Sequence, residues 1–369
     1  MRIDLSAPDI NENDIASVTE VLRSGRLSLG PVLEEFEQRF AEYIGTQHAV
    51  AVSSGTAALH LCMVALELHP GEEIITTPFS FIASANCALM VGAVPVFVDI
   101  DDDTWNMDAG AIPRAITNRT RAILPVHIFG VPARMDAITE IALSEGLAVI
   151  EDACEAVGAR YAEQAVGTFG DAATFAFYPN KQMTTGEGGM LVTDQETLAS
   201  MARSLRNQGR DHMNSWLTHP RLGYNYRLSE INAALGVSQL SRIGNLLQRR
   251  EQVAQWYLER LKSDERLVLQ QAPREAHVSR FVFVVRLGDE YCQADRDDII
   301  RQLHNSGIGC STYFTPIHLQ TFYRERFGYS EGDFPKCEHV AARTMALPFH
   351  PKLTEDQVDE VCRELQALL

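Results

Sequence analysis

Between residues 48 and 152, short apolar runs alternate with helix-length segments, and no other feature of this 369-residue chain restricts its fold so strongly. Residues 48–52, 73–77, 94–98, 121–126 and 147–150 read as strands, and 57–66, 80–91 and 133–145 as helices between them. Such alternation predicts an α/β fold: a mainly parallel sheet with helices on both faces, whose ligands gather at the carboxyl ends of the strands. Asp152, His127 and the segment 76–81 with its aromatic Phe81 fall at those ends.

Two helices, 9–22 and 31–44, precede this core; Pro31 stands near the first turn of the second and Gly45 just past its end. Beyond it, 229–261 reads as one long helix, followed by a strand over 280–287, a helix over 297–305, a strand over 309–314 and an amphipathic helix over 353–369. These form a smaller α+β unit, with a boundary near residue 240 that divides the chain into a large domain, 1–240, and a small one, 241–369.

The 32 basic against 49 acidic side chains give a net charge of −17, which disfavours nucleic acid or an anionic membrane as partner. Seven scattered cysteines without a CxxC pair suggest neither a disulfide framework nor a zinc site, and no metal is expected. The first residues lack a basic segment followed by an apolar one, and no run of 18 apolar residues occurs, so a cytoplasmic location is the expectation.

The chemistry concentrates in TFAFYPNKQMTTGEGGMLVTD, residues 174–194. Two apolar runs flank a Gly-rich turn that carries Lys181, with Gly186, Gly188 and Gly189 allowing close backbone approach. A single lysine held on a rigid scaffold suits a covalent bond to an aldehyde cofactor, although lysines in such turns are also often simply solvated. In SSGTAA a helix opens at Gly55 and Thr56 directly after a strand, offering free N–H groups to a phosphate, or an ordinary Ser/Thr cap. Asp152, likewise, is either a site carboxylate or a helix cap.

LSLGPVLEEFEQRFAEYIG, AVSSGTAALHL, TPFSFIASAN, GAVPVFVDID, IEDACEAVGA, NKQMTTGEGGM, GYNYRLSEINAALGVSQL, TPIHLQ and LPFHPKLTEDQV stand in register along the chain. With them the sequence resembles the pyridoxal-phosphate (PLP) sugar aminotransferases of the DegT/DnrJ/EryC1/StrS family. The resemblance implies the aspartate-aminotransferase fold (PLP fold type I), with a seven-stranded-type large sheet. It also implies that Lys181 bonds the cofactor and moves the substrate proton, that Asp152 pairs with the ring nitrogen, and that Phe81 stacks on the ring. Gly55 and Thr56 match the phosphate-binding helix start, while Asn225 and Arg227 match a segment that reaches the cofactor phosphate of the neighbouring subunit in a homodimer. Tyr313 and His318 fall where the family contacts substrate.

Two positions depart from the family pattern: Ala176 replaces a phosphate-binding serine, and Glu155 stands where glutamine or histidine is common near the cofactor's 3′-oxygen. The implied activity is transfer of an amino group from L-glutamate to a nucleotide-linked keto-deoxysugar, for cell-surface polysaccharide or glycosylated-metabolite assembly. A cyclitol ketone is the alternative substrate. Related dehydratases carry histidine where Lys181 stands, and a non-catalytic homologue would be expected to lack Lys181 or Asp152.

Overall fold

A computed structural model describes residues 2–211 and 218–369. Its large sheet has seven strands: β1 (His48–Val52), β2 (Glu73–Thr76), β3 (Val94–Phe97), β4 (Thr120–Ile123), β5 (Ala148–Asp152), β6 (Ala172–Ala176) and β7 (Gly189–Thr193). Their spatial order is β1-β7-β6-β5-β4-β2-β3. β2 through β6 pair in parallel, as helical crossovers require, whereas β7 inserts antiparallel between β1 and β6. That insertion carries the Gly-rich turn of residues 186–189 back to the end of the sheet where β1 and β5 finish.

A second, three-stranded antiparallel sheet joins Leu267–Leu269, Phe283–Leu287 and Thr344–Leu347. The helices Ile243–Leu261, Gln293–Asn305 and Glu355–Leu368 close its core around Tyr257 and Phe349, and Ile3 from the amino-terminal end packs into the same core.

Several boundaries shift by two to four residues from the reading of the sequence, and some differences bear on the site. The helix read over 80–91 begins at Ala83, because Ser80 and Phe81 are turned toward the site. The single helix read over 229–261 is two, Glu230–Ser241 and Ile243–Leu261, broken at Arg242 with φ −122° and ψ 17°. Arg242 instead donates to Asp9 Oδ1 at 3.1 Å and Asp14 Oδ2 at 2.7 Å. The segment 309–314 is not a strand; only Ser311 bridges to Ala346, and the residues after it line a cavity.

Glu230 ties these parts together. Its carboxylate, 1% exposed, accepts the N–H groups of Gly30, Val32 and Leu33, each at 3.0 Å. These belong to the free amino-terminal end of the helix Pro31–Ile44, where a negative charge is favoured by the helix dipole. Glu230→Ala is expected to lower the unfolding free energy by about 2–4 kcal/mol in a urea titration, because buried N–H groups lose their acceptor. A loss below about 0.5 kcal/mol would show that water or a neighbour replaces the carboxylate.

Candidate active site

A cavity of about 600 Å³ lies at the carboxyl ends of β1 and β5, with Phe281 and Tyr313 also in its wall. Lys181 enters it from the turn after β6. Its backbone N–H donates to the Tyr178 carbonyl at 2.9 Å, and its ammonium sits 3.8 Å from the centroid of the Phe281 ring and 3.7 Å from Glu155 Oε1. A cation over an aromatic face gains from the ring quadrupole, most of all where water is excluded.

Asp152 ends β5, where the parallel neighbours β4 and β6 leave its side chain facing the cavity. Its Oδ2 accepts the Ser84 hydroxyl at 2.7 Å and its Oδ1 the Cys154 N–H at 3.1 Å. Glu155, three residues on, accepts the Phe129 N–H at 2.8 Å through Oε2. Burial pushes the Glu155 carboxyl above the ordinary range, opposed by the nearby Lys181 charge. Burial and the charge of Asp152 also push the Cys154 thiol well up, so that it stays protonated and is a poor nucleophile.

The other end of the cavity is built for an anion. The helix Gly55–Ala65 starts there; the Ser54 hydroxyl takes the Ala57 N–H and the Ser54 carbonyl takes that of Ala58, both at 3.1 Å. Among the described residues the N–H groups of Gly55 and Thr56 then have no acceptor, although both residues line the cavity. Glycine is needed at 55 because a Cβ there would stand 2.8 Å from Cys154 Sγ and 2.9 Å from Ala176 Cβ. Gly189 is needed for the same packing: a Cβ on it would come within 2.6 Å of the Ser54 and Gly55 backbone. At position 176 the methyl of alanine faces Gly55, and no hydroxyl is supplied there.

An amine beside carboxyl groups at one end and open N–H groups at the other fits a phosphorylated aldehyde with a basic ring nitrogen. Phe81, 58% exposed, and Tyr313 line the same cavity. Burial and the charge of Glu155 push the Tyr313 phenol up, so it is neutral and can donate a hydrogen bond. Asn225 and Arg227 do not line this chain's cavity: Asn225 bridges to Asn207, and Arg227 donates to Asn207 Oδ1 at 3.0 Å. Burial and the charges of Arg210 and Arg206 hold the Arg227 guanidinium below its usual range. Of the loop expected to carry substrate contacts, residues 212–217 lie outside the described residues.

His318 is fully buried, 3.0 Å from Glu338 Oε1 and packed on Phe334, and does not reach the cavity. A buried imidazole held by a carboxylate gives way to packing as the reading of that position. His127 is equally buried, with Glu151 and the Ala133 N–H as partners. Reading the sequence missed Ser84 and Phe281: one is a small residue early in an apolar helix, and the other falls in the run 280–287 read as a strand, which begins only at Phe283 and leaves Phe281 to line the cavity.

Residues 8–366 match the DegT/DnrJ/EryC1/StrS aminotransferase family. The chain belongs to that family. The aminotransferase is similar to the GDP-perosamine synthase of Caulobacter vibrioides, 41% identical over 373 residues that cover 100% of this chain and 98% of that protein. Among solved structures it resembles DesV of S. venezuelae, with a TM-score of 0.90 and 36% identity over 96% of this chain and 93% of that one. The PLP form of Spr1654 from Streptococcus pneumoniae gives 0.95 and 29%, over 100% and 98%. The fold is thus the type I fold of PLP enzymes, the activity that of a PLP-dependent aminotransferase, and pyridoxal phosphate its cofactor.

Proposed function

We propose that the enzyme moves the amino group of L-glutamate to the ketone of a nucleotide-linked keto-deoxysugar, as a cytoplasmic homodimer with shared active sites. The reading is carried by Lys181, held in the cavity between Glu155 and the Phe281 ring and facing the open helix start at Gly55. A nucleotide sugar is favoured by the 41% identical relative, which is named for a GDP-linked sugar. Among the described residues no helix is long and apolar enough to cross a membrane.

Of the residues lining the cavity, Gly55 and Thr56 would bind the cofactor phosphate through their N–H groups, and Phe81 and Glu155 would hold its ring. Bound pyridoxal phosphate supplies an electron sink for the substrate carbon. Asp152, oriented by the Ser84 hydroxyl, would hold a proton on the ring nitrogen. Lys181 would hold the cofactor through its Nζ, and the same Nζ, once freed by the substrate amine, would carry the proton taken from the substrate carbon to the cofactor carbon on the other side of the imine nitrogen. The same groups serve both half-reactions, glutamate leaving as 2-oxoglutarate before the keto-sugar enters. Asn225 and Arg227 reach the phosphate in the partner subunit's cavity.

The purified enzyme should release 2-oxoglutarate from L-glutamate when given at least one of a panel of nucleotide keto-sugars with the ketone at C3 or C4. Asp152→Asn should lower that turnover by about 100-fold or more while the cofactor stays bound. Turnover with a cyclitol ketone alone would move the substrate to the other class, and no turnover with any ketone would overturn the reading.

For the shared site, Lys181→Ala subunits are refolded with an equal amount of Asn225→Ala/Arg227→Ala subunits. About half the dimers pair the two, each with one intact site, so activity should return to roughly a quarter of wild type. Recovery no greater than the mean of the parents, with subunit mixing verified by mass, would place Asn225 and Arg227 in their own chain's site.

A further inference from the structure

Arg250, on the helix Ile243–Leu261, lies outside the cavity but grips the backbone that forms it. Its Nη2 donates to the Lys181 carbonyl at 2.6 Å and to the Asn180 carbonyl at 3.3 Å, while its Nη1 donates to the Phe281 carbonyl at 3.2 Å. One guanidinium therefore holds both the lysine and the residue whose ring lies 3.8 Å from the lysine's ammonium.

The setting is expensive for a charge. Arg250 is 3% exposed, its Nε has no hydrogen bond, and among the described residues its acceptors are carbonyls with no carboxylate. Burial brings its pKa down to about 10, with the charge of Asp9 opposing the fall. Its guanidinium carbon lies 5.7 Å from the Phe349 ring, and the neighbouring His350 is driven down to about 4 by burial and by the Arg250 charge, so it stays neutral. A leucine or methionine would fill the same volume without burying a charge against dipoles alone.

We propose that Arg250 is a positioning residue for amino transfer: by clasping the carbonyls of Lys181 and Phe281 together, it fixes the lysine amine against its aromatic platform and aims it at the reacting atoms. The proposal rests on the reading of Lys181 as the cofactor-bonding lysine. Its consequence falls on the chemical step and on the rigidity of the bound cofactor, because Arg250 itself lies outside the cavity and acts only through the backbone it holds.

The test uses the holoenzyme with Arg250→Met and Arg250→Lys. Measured are kcat and KM for glutamate, and the visible circular dichroism per bound cofactor, which reports how asymmetrically the protein holds it. Arg250→Met should lower kcat by roughly 10- to 100-fold with KM within about 3-fold of wild type, the pattern of a misplaced reacting group. The visible dichroism should fall by about half or more, and Arg250→Lys, which can still reach one carbonyl, should restore part of both. Wild-type kcat and dichroism in a folded, cofactor-loaded Arg250→Met enzyme would overturn the proposal, as would a loss that appears only in KM. Should Arg250→Met not fold, Arg250→Lys decides alone: kcat lowered about 3-fold or more with weakened dichroism supports the clasp, and unchanged values refute it. A wild-type protein that binds no cofactor, or a Lys181→Ala variant that keeps the lysine-bonded visible band, would instead remove the underlying reading of Lys181.

Discussion

The ammonium of Lys181 and the carboxyl of Glu155, both largely buried, face each other across 3.7 Å, and the rest of the site is arranged so that neither stands alone. An isolated charge there would neutralise or draw in water. Phe129 holds the far oxygen of Glu155 through its N–H. Gln182, next to the lysine, donates to the carbonyls of Glu155 and Ser279, both at 2.7 Å, so the strand end, the lysine turn and the segment before Phe281 form one unit.

The sheet decides where that unit sits. β5 delivers Asp152 and Glu155 at its carboxyl end, β1 delivers the helix start at Gly55, and the antiparallel β7 packs its Gly189 against Ser54 and Gly55 with no room for a methyl group. Phe281 and Tyr313, from later in the chain, supply a further wall. Amine, carboxyl groups and open N–H groups thus come from three separate stretches of sequence, and only the topology gathers them.

Much of this was legible in the residues. The α/β alternation carries its own physics, since apolar runs of strand length joined by helices must build a parallel sheet. Lys181, Asp152, Gly55 and Thr56 stood out because strand ends and glycine turns mark them, and the structure brings all four to one cavity. The break at Arg242 was not legible, because both helices share one periodicity and the break depends on distant partners, Asp9 and Asp14. The segment 309–314 has strand-like residues, yet beyond Ser311 it turns to line the cavity. Arg250 looks like any polar residue on an amphipathic helix; only its burial against three carbonyls distinguishes it.

The chain contains four lysines, Lys181, Lys262, Lys336 and Lys352, which makes the central claim open to one direct measurement. Borohydride reduction of the cofactor-loaded enzyme, followed by protease digestion and mass mapping, should place a single reduced cofactor adduct on the peptide containing Lys181. An adduct on a peptide carrying Lys262, Lys336 or Lys352 with Lys181 unmodified, or no adduct on a protein saturated with pyridoxal phosphate, would contradict the account.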